Sequence, residues 1–222
     1  MTFDVVIPAR NEAATIGPIV ASFRRHRRIG RVIVALDMDT TDDTAGVAYA
    51  AGAVITGGID SGKGQVVDHA LLEVDSQDVI FCDADYRNLS QWHISRMCAY
   101  KNTHVQLIGA PDIPDNYPPS KEWAWPWVSG FRRVPTILAR RMDLHGYLME
   151  VQLNEACRRY GIPTMITRLI GLVSPYEMTE TRMSERDRDF AWGVKNGVLR
   201  RPGRRHAPRL GPTGRGHGPE VS

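Results

Sequence analysis

Four short apolar runs, FDVVIPA, RVIVAL, AVIT and DVIFC, recur through residues 3–82, and helix-period stretches separate them. Each run is rich in β-branched residues and too short for a helix, so each predicts a buried strand. After the first, EAATIGPIVASFRRH places Ile16, Ile19, Val20 and Phe23 on one helical face, with Pro18 expected in the first turns, where proline is best tolerated. TDDTAGVAYAAG predicts a helix that starts at Thr41 or Asp42 and is closed by Gly52. A further helix after the loop GGIDSGKG puts Val66, Val67, Ala70, Leu71 and Val74 on one face. This alternation predicts a single α/β domain whose mostly parallel, doubly wound central sheet is flanked by helices.

Sheets of this kind bind ligands beyond the carboxyl ends of their strands. Polar groups gather there: Arg10, Asn11 and Glu12 after the first strand, Asp37 and Asp39 after the second, Gly62, Lys63 and Gly64 after the third, Asp83 and Asp85 after the fourth. Alternation along an extended chain points Asp83 and Asp85 to one side. Two carboxylates that close raise each other's proton affinity unless a cation lies between them, and hard ions such as Mg2+ or Mn2+ take such oxygens together with phosphates. An isolated Asp-x-Asp is also an ordinary polar turn. Four successive strands releasing charged or glycine-rich loops at one rim favour the ligand site. Lys63 between two glycines suits a phosphate, and Asp37 suits the hydrogen-bond donors of a base or ribose.

Familiar fingerprints are missing. Gln65 follows Lys63 where a P-loop needs Ser or Thr, no G-x-G-x-x-G follows the first strand, and neither G-x-S-x-G nor H-E-x-x-H occurs. A chain of 222 residues, 42% hydrophobic and 24% charged, supports one core with appendages. No apolar run approaches the roughly 18 residues of a membrane span, and the start MTFDVVIPARNE lacks the pattern of a secretory leader, so the expected location is the cytoplasm. Cys82, Cys98 and Cys157 lie apart in apolar surroundings and predict buried free thiols.

Four segments in this order, VVIPARNEAATIGPIV, VIVALDMDTTDDTAGVAYAAGA, GKGQVVDHAL and DVIFCDAD, resemble the nucleotide-sugar-binding half of family 2-type glycosyltransferases with the Rossmann-like GT-A fold. The resemblance covers about residues 3–110 and points toward the polyprenyl-phosphate sugar transferases and the glucosyl- and mannosyl-3-phosphoglycerate synthases. It implies that Pro8, Ala9, Arg10, Asn11 and Glu12 line the nucleotide and that Asp37 contacts uracil or guanine. It further implies that Gly62 and Lys63 meet the diphosphate and that Asp83-Ala84-Asp85 is a metal-binding D-x-D motif for Mn2+ or Mg2+. One departure is Met38-Asp39, which stands where an acidic-glycine pair is usual. The implied reaction is metal-dependent transfer of a hexosyl group from a UDP- or GDP-sugar, inverting or retaining. The competing readings are a sugar nucleotidyltransferase, whose usual glycine-rich basic first loop is replaced by PARNE, and a non-catalytic nucleotide-sugar-binding protein.

Residues 1–110 thus form the donor half, 111–199 an acceptor-binding and closing half, and 200–222 a basic tail. In the second half HVQLIGA predicts a strand, followed by a long proline-rich aromatic loop. Trp123, Trp125 and Trp127 alternate there, either to stack on a sugar, to sit at a membrane interface or to pack into the core. VSGFRRVP resembles the acceptor-side segment of the same transferases, with Ser129 and Gly130 near the donor sugar and Arg132 and Arg133 either receiving an anionic acceptor or simply solvated.

In DLHGYLMEVQLNEACRRYG, Met149, Leu153, Ala156, Cys157 and Tyr160 form an apolar helical stripe. Its likeness to GY-x-x-E segments puts Tyr147 and this helix under the donor sugar, with Glu150 and Asp85 the candidate catalytic residues. Glu150 either orients sugar hydroxyls or serves as general base. His145 either completes the metal shell or caps the helix. TMITRLIGLVSPYE predicts a last strand, and TETRMSERDRDFAWGVKNGVL a charged helix packed by Met183, Phe190, Trp192 and Val194.

From Arg200 onward six arginines face one glutamate, so this end carries +5 of a net +3 and the rest of the chain is −2. A Pro/Gly/Arg segment has little to bury and is expected to be disordered, either as a solvated end or as a contact for an anionic partner. The acceptor is open among a small phosphorylated acid, a protein, DNA and a lipid phosphate, and a homodimer is compatible with the sequence.

Overall fold

The central strand, β1 (Phe3–Ala9), is buried over nearly its whole length and pairs in parallel with β2 (Ile29–Leu36) and β4 (Asp78–Phe81). Both faces of β1 are covered, so its apolar residues run on without alternation, as in parallel strands buried on two sides. In the computed structural model the described residues are 2–58, 61–100, 104–112 and 126–175, with 184, 188, 189, 191 and 195 beyond them. Adding β3 (Val54–Gly57), β5 (Gln106–Asp112), β6 (Arg132–Pro135) and β7 (Thr164–Val173) gives a seven-stranded sheet of order β3-β2-β1-β4-β6-β5-β7.

Two cores follow from the pleat. Phe3, Val5 and Ile7 face one side, where they meet Ile16, Ile19, Val20 and Phe23 of α1 (Ile16–Arg24) and Ile94 and Met97 of α4 (Gln91–Cys98). Val6 faces the other side and joins Val66, Val67 and Ala70 of α3 (Lys63–Ala70) and Met149 and Leu153 of α6 (Met149–Arg159). The predicted faces of α1 and α3 therefore pack as expected and Pro18 falls in the first turn of α1, whereas Tyr160, expected on the buried stripe of α6, caps that helix and is exposed.

Three features differ from the sequence expectations. First, α2 (Thr44–Ala50) begins after Asp43 rather than at Thr41 or Asp42, because Asn11 Oδ1 accepts the amides of Thr41 and Asp42 and holds them outside the helix. Gly52, at φ +96, closes it as expected. Second, β6 is an unforeseen strand, antiparallel to both β4 and β5, followed by the short helix α5 (Thr136–Ala139). Third, Arg132 and Arg133 are fully buried in β6, neither solvated nor open.

Alternation sends these two arginines to opposite faces of the sheet. Arg133 reaches the carbonyls of Met97 and Tyr100 at the C-terminal end of α4, with its guanidinium 5.1 Å from the Phe3 ring centroid and 3.5 Å from Asp78. Burial pushes the Asp78 carboxyl up to about 6, and the positive Arg133 and His104 only partly oppose it.

The three cysteines are buried free thiols. Among the described residues no helix is long and apolar enough to cross a membrane. Trp123, Trp125, the packing residues Met183, Phe190, Trp192 and Val194, and the 200–222 tail lie outside the described residues, while Trp127 is exposed.

Candidate active site

The parallel strands end at one edge of the sheet, and their loops enclose a cleft. It is lined by Pro8, Ala9, Arg10 and Glu12 after β1, Asp37 after β2, Gly62, Lys63 and Val66 at the start of α3, Asp83, Ala84 and Asp85 after β4, and Tyr147 before α6. Eleven of these twelve are sequence-predicted site residues, gathered because parallel strands present their carboxyl ends together.

The first-strand loop is anchored before any ligand arrives. Thr44 Oγ1 accepts the Glu12 amide at 2.8 Å, Asp42 Oδ2 accepts the Ala13 amide at 3.0 Å, and Glu12 Oε2 accepts the Thr15 hydroxyl at 2.9 Å. Asn11, with φ +56, turns away from the cleft wall and serves as the latch to Thr41 and Asp42, so its expected place on the nucleotide is not supported. Asp37 Oδ1 accepts the Asp39 amide at 2.9 Å and Oδ2 the Gly62 amide at 2.8 Å. The Gly62 N–H is thus committed to Asp37, whereas each carboxylate oxygen of Asp37 keeps a lone pair for a ligand donor.

Lys63 is the charge centre. Its Nζ lies 2.6 Å from Asp83 Oδ1 and 2.6 Å from Glu150 Oε1, with its side chain one-fifth exposed. Burial opposes the ammonium, but Asp83 and Glu150 outweigh that and raise its pKa above the lysine range. Glu150 is buried and stands one layer behind the cleft wall, so the geometry gives it Lys63 to hold rather than a proton to abstract from an acceptor.

Glycines let these groups come together. A Cβ on Gly130 would sit 2.1 Å from Asp83 Oδ2, so this glycine makes the recess in which the Asp83 carboxylate lies. A Cβ on Gly64 would sit 2.5 Å from the His145 nitrogen, so the first turn of α3 packs directly on the His145–Gly146 backbone. Ser129 is buried, its hydroxyl donating to the Gly109 carbonyl at 2.7 Å and accepting the Phe131 amide, and it is not a sugar contact in this arrangement.

Arg132 is likewise no acceptor ligand. Its guanidinium donates to the carbonyls of Ser129, Glu150 and Trp127 and to Asn154 Oδ1, which uses all five of its N–H groups within the protein. Burial lowers its pKa, opposed by the negative Glu150 and Asp83. It braces the loop carrying Ser129 and Gly130 against α6.

His145 does not join the aspartates. Its Nδ1 is 3.3 Å from Gln65 Nε2, and its Nε2 is 3.3 Å from Asp189 Oδ1. Gln65 Oε1 accepts the Gly146 amide, so Nε2 of Gln65 must donate to Nδ1, and the imidazole then carries its proton on Nε2 toward Asp189. Both ring nitrogens are engaged by protein. Among the described residues no three His, Cys, Asp or Glu side chains gather closely enough to hold a metal ion. The oxygens of Asp83 and Asp85 suit a hard cation, with further ligands to come from the phosphates it accompanies. Gln65 and Asp189, absent from the sequence-based site, are the residues the structure adds beside it, holding the His145–Tyr147 turn. Only the mismatch of Gln65 to the P-loop pattern marked its position.

Comparison with known proteins places this geometry. A model of glycosyl transferase family 2 matches residues 4–162. Glucosyl-3-phosphoglycerate synthase from Mycobacterium tuberculosis, solved with Mn2+ and UDP-glucose, superposes with a TM-score of 0.74 at 20% identity, covering 91% of this chain and 81% of that one. The same enzyme with phosphoglyceric acid gives 0.71 at 19%, covering 91% and 82%, and a further mycobacterial protein gives 0.74 at 19%, covering 91% and 76%. No curated protein sequence matched the chain. At these identities the solved structures establish a common GT-A fold, and the family match over most of the chain carries the assignment further: this protein belongs to glycosyl transferase family 2.

Proposed function

We propose that the cleft binds a UDP- or GDP-sugar with Mn2+ or Mg2+ and transfers its hexosyl group to an acceptor. The observation that carries this reading is Lys63, a cation fixed between Asp83 and Glu150 at the floor of a cleft whose other walls are the first-strand loop and Asp37. A divalent cation, when bound by Asp83 and Asp85, supplies positive charge to the departing diphosphate. Lys63 adds a second positive charge beside it, Pro8, Ala9, Arg10, Glu12 and Asp37 hold the nucleoside, and Tyr147 walls the sugar side.

A small phosphorylated acid is the proposed acceptor class, because the structurally similar synthase was solved with phosphoglyceric acid. Arg132 plays no part in receiving it, since its donors are spent. The buried thiols fit a reducing compartment, and the cytoplasm is the proposed place of action.

A thermal-shift screen of UDP- and GDP-sugars with and without Mn2+ tests the reading. A metal-dependent rise in melting temperature with one nucleotide class is expected. Absence of a shift with every donor, in the presence of metal, overturns it.

A further inference from the structure

The turn that carries Tyr147 into the cleft wall is held mainly by side-chain acceptors from outside it. Five successive amides, Leu144 to Leu148, donate in order to Asp68 Oδ2, Gln152 Oε1, Gln65 Oε1, Asp189 Oδ2 and the His145 carbonyl. Four of these acceptors belong to residues 4–162, the span of the family match; Asp189 lies beyond it. Its carboxylate spans the turn, with Oδ2 2.8 Å from the Tyr147 nitrogen and Oδ1 3.3 Å from His145 Nε2. Gly146 lies between them at φ +42, and a Cβ there would meet Oδ2 at 2.0 Å. The carboxylate therefore fills the space that a side chain at 146 would take, and with Asp189 in place only glycine fits that position.

We propose that Asp189 is a positioning residue for the transfer reaction: it clamps the 145–147 turn so that Tyr147 stands in the cleft wall when the donor enters. The role rests on the nucleotide-sugar reading above. It gives the chain beyond β7 a part in donor binding that no residue of the family-matched region supplies, and it acts through Tyr147 without touching the reacting atoms.

The test uses full-length Asp189→Ala, Asp189→Asn and Gly146→Ala, with three readouts: hydrogen exchange at the Tyr147 amide, melting temperature, and KM and kcat for hydrolysis of the donor that the wild type accepts with Mn2+. Losing an acceptor with charge is expected to raise the donor KM about ten-fold in Asp189→Ala, with kcat within about two-fold and protection of the Tyr147 amide lost. Asp189→Asn still offers an amide oxygen to that N–H and is expected to stay within about three-fold of wild type. Gly146→Ala is expected to match Asp189→Ala, and the double variant to be no worse than either alone.

Unchanged amide protection in Asp189→Ala, or lost protection with an unchanged KM, overturns the clamp alone. A fall in melting temperature and kcat with KM unchanged shows a merely structural residue and also overturns it. A wild type that binds no nucleotide sugar overturns the functional reading itself.

Discussion

The ammonium of Lys63, at the first position of α3, lies 2.6 Å from the carboxylate of Glu150 in the first turn of α6, 87 residues away. This contact ties the start of α3 to the start of α6. It also leaves Lys63 poised beside Asp83, so one cation serves both the architecture and the floor of the cleft.

Removing that cation is expected to cost more than removing one of its partners. Lys63→Ala leaves Asp83 and Glu150 facing each other without a counter-charge and should lose about 2–4 kcal/mol, less than a fully buried pair because Asp83 is partly exposed. Glu150→Gln keeps an acceptor for Nζ and should lose about 1 kcal/mol. Denaturant melts of both variants check the order; an equal or reversed ranking contradicts the ion-pair account.

Asp85→Ala is expected to melt within a few degrees of wild type while turnover falls at least about 100-fold and metal-dependent nucleotide binding disappears. The carboxylate sits in the loop after β4 and lines the cleft, and the core residues on either side of it, Ala84 and Tyr86, are left intact by the substitution. Wild-type turnover in this variant excludes the role.

Gly64→Ala places a better helix former in α3 and should still destabilise, by about 1–3 kcal/mol, because the new methyl meets the His145 backbone nitrogen at 2.5 Å. Gly130→Ala should instead show mainly in activity, since its methyl displaces the Asp83 carboxylate. Melting curves and donor hydrolysis measured side by side separate the two effects.

Arg132→Lys keeps the charge but offers three donors in place of a planar fork of five, leaving the buried carbonyl of Ser129 or Glu150 short of its bonds. A stability loss of about 2–4 kcal/mol is expected, with acceptor KM unchanged in the fraction that folds. A selective rise in acceptor KM at wild-type stability would return Arg132 to the acceptor site.

The pH dependence of stability should carry the mark of Asp68. Burial raises its carboxyl to about 6, the neighbouring Asp143 charge adds to this, and the Leu144 amide opposes it. Its folded pKa exceeds the unfolded value of 3.8, so the native state binds this proton more tightly. Stability from this group therefore falls as pH rises from about 4 through about 6 and then levels off. Asp68→Asn keeps an acceptor for Leu144 and should exceed wild type by about 1 kcal/mol at pH 7.5, with the advantage gone near pH 4. Melting temperature against pH for the two proteins is the check; parallel curves rule the assignment out.

The first part of the chain, from β1 to β4, was largely legible because its signals are local. Period 3.6 in Ile16–Phe23, continuous apolar strands and the loops after them specify elements whose carboxyl ends meet by the geometry of parallel sheets alone. What residue order could not reveal was which polar groups satisfy each other. Nothing in the residue types near Arg132 and Arg133 announces a buried strand, since their burial depends on groups that α4, α6 and β4 bring in, beside the Ser129 and Trp127 carbonyls of the preceding loop.

Asn11 carries the same motif letters whether it faces a ligand or latches Thr41, and Glu150 looks like a free base until Lys63 is seen beside it. His145 becomes a bridge rather than a metal ligand only once Gln65 and Asp189 arrive from either side. Hydrophobic pattern follows from neighbours along the chain and can be read from their order. Burying a charge or an amide demands a partner in space, and only the folded chain selects which one.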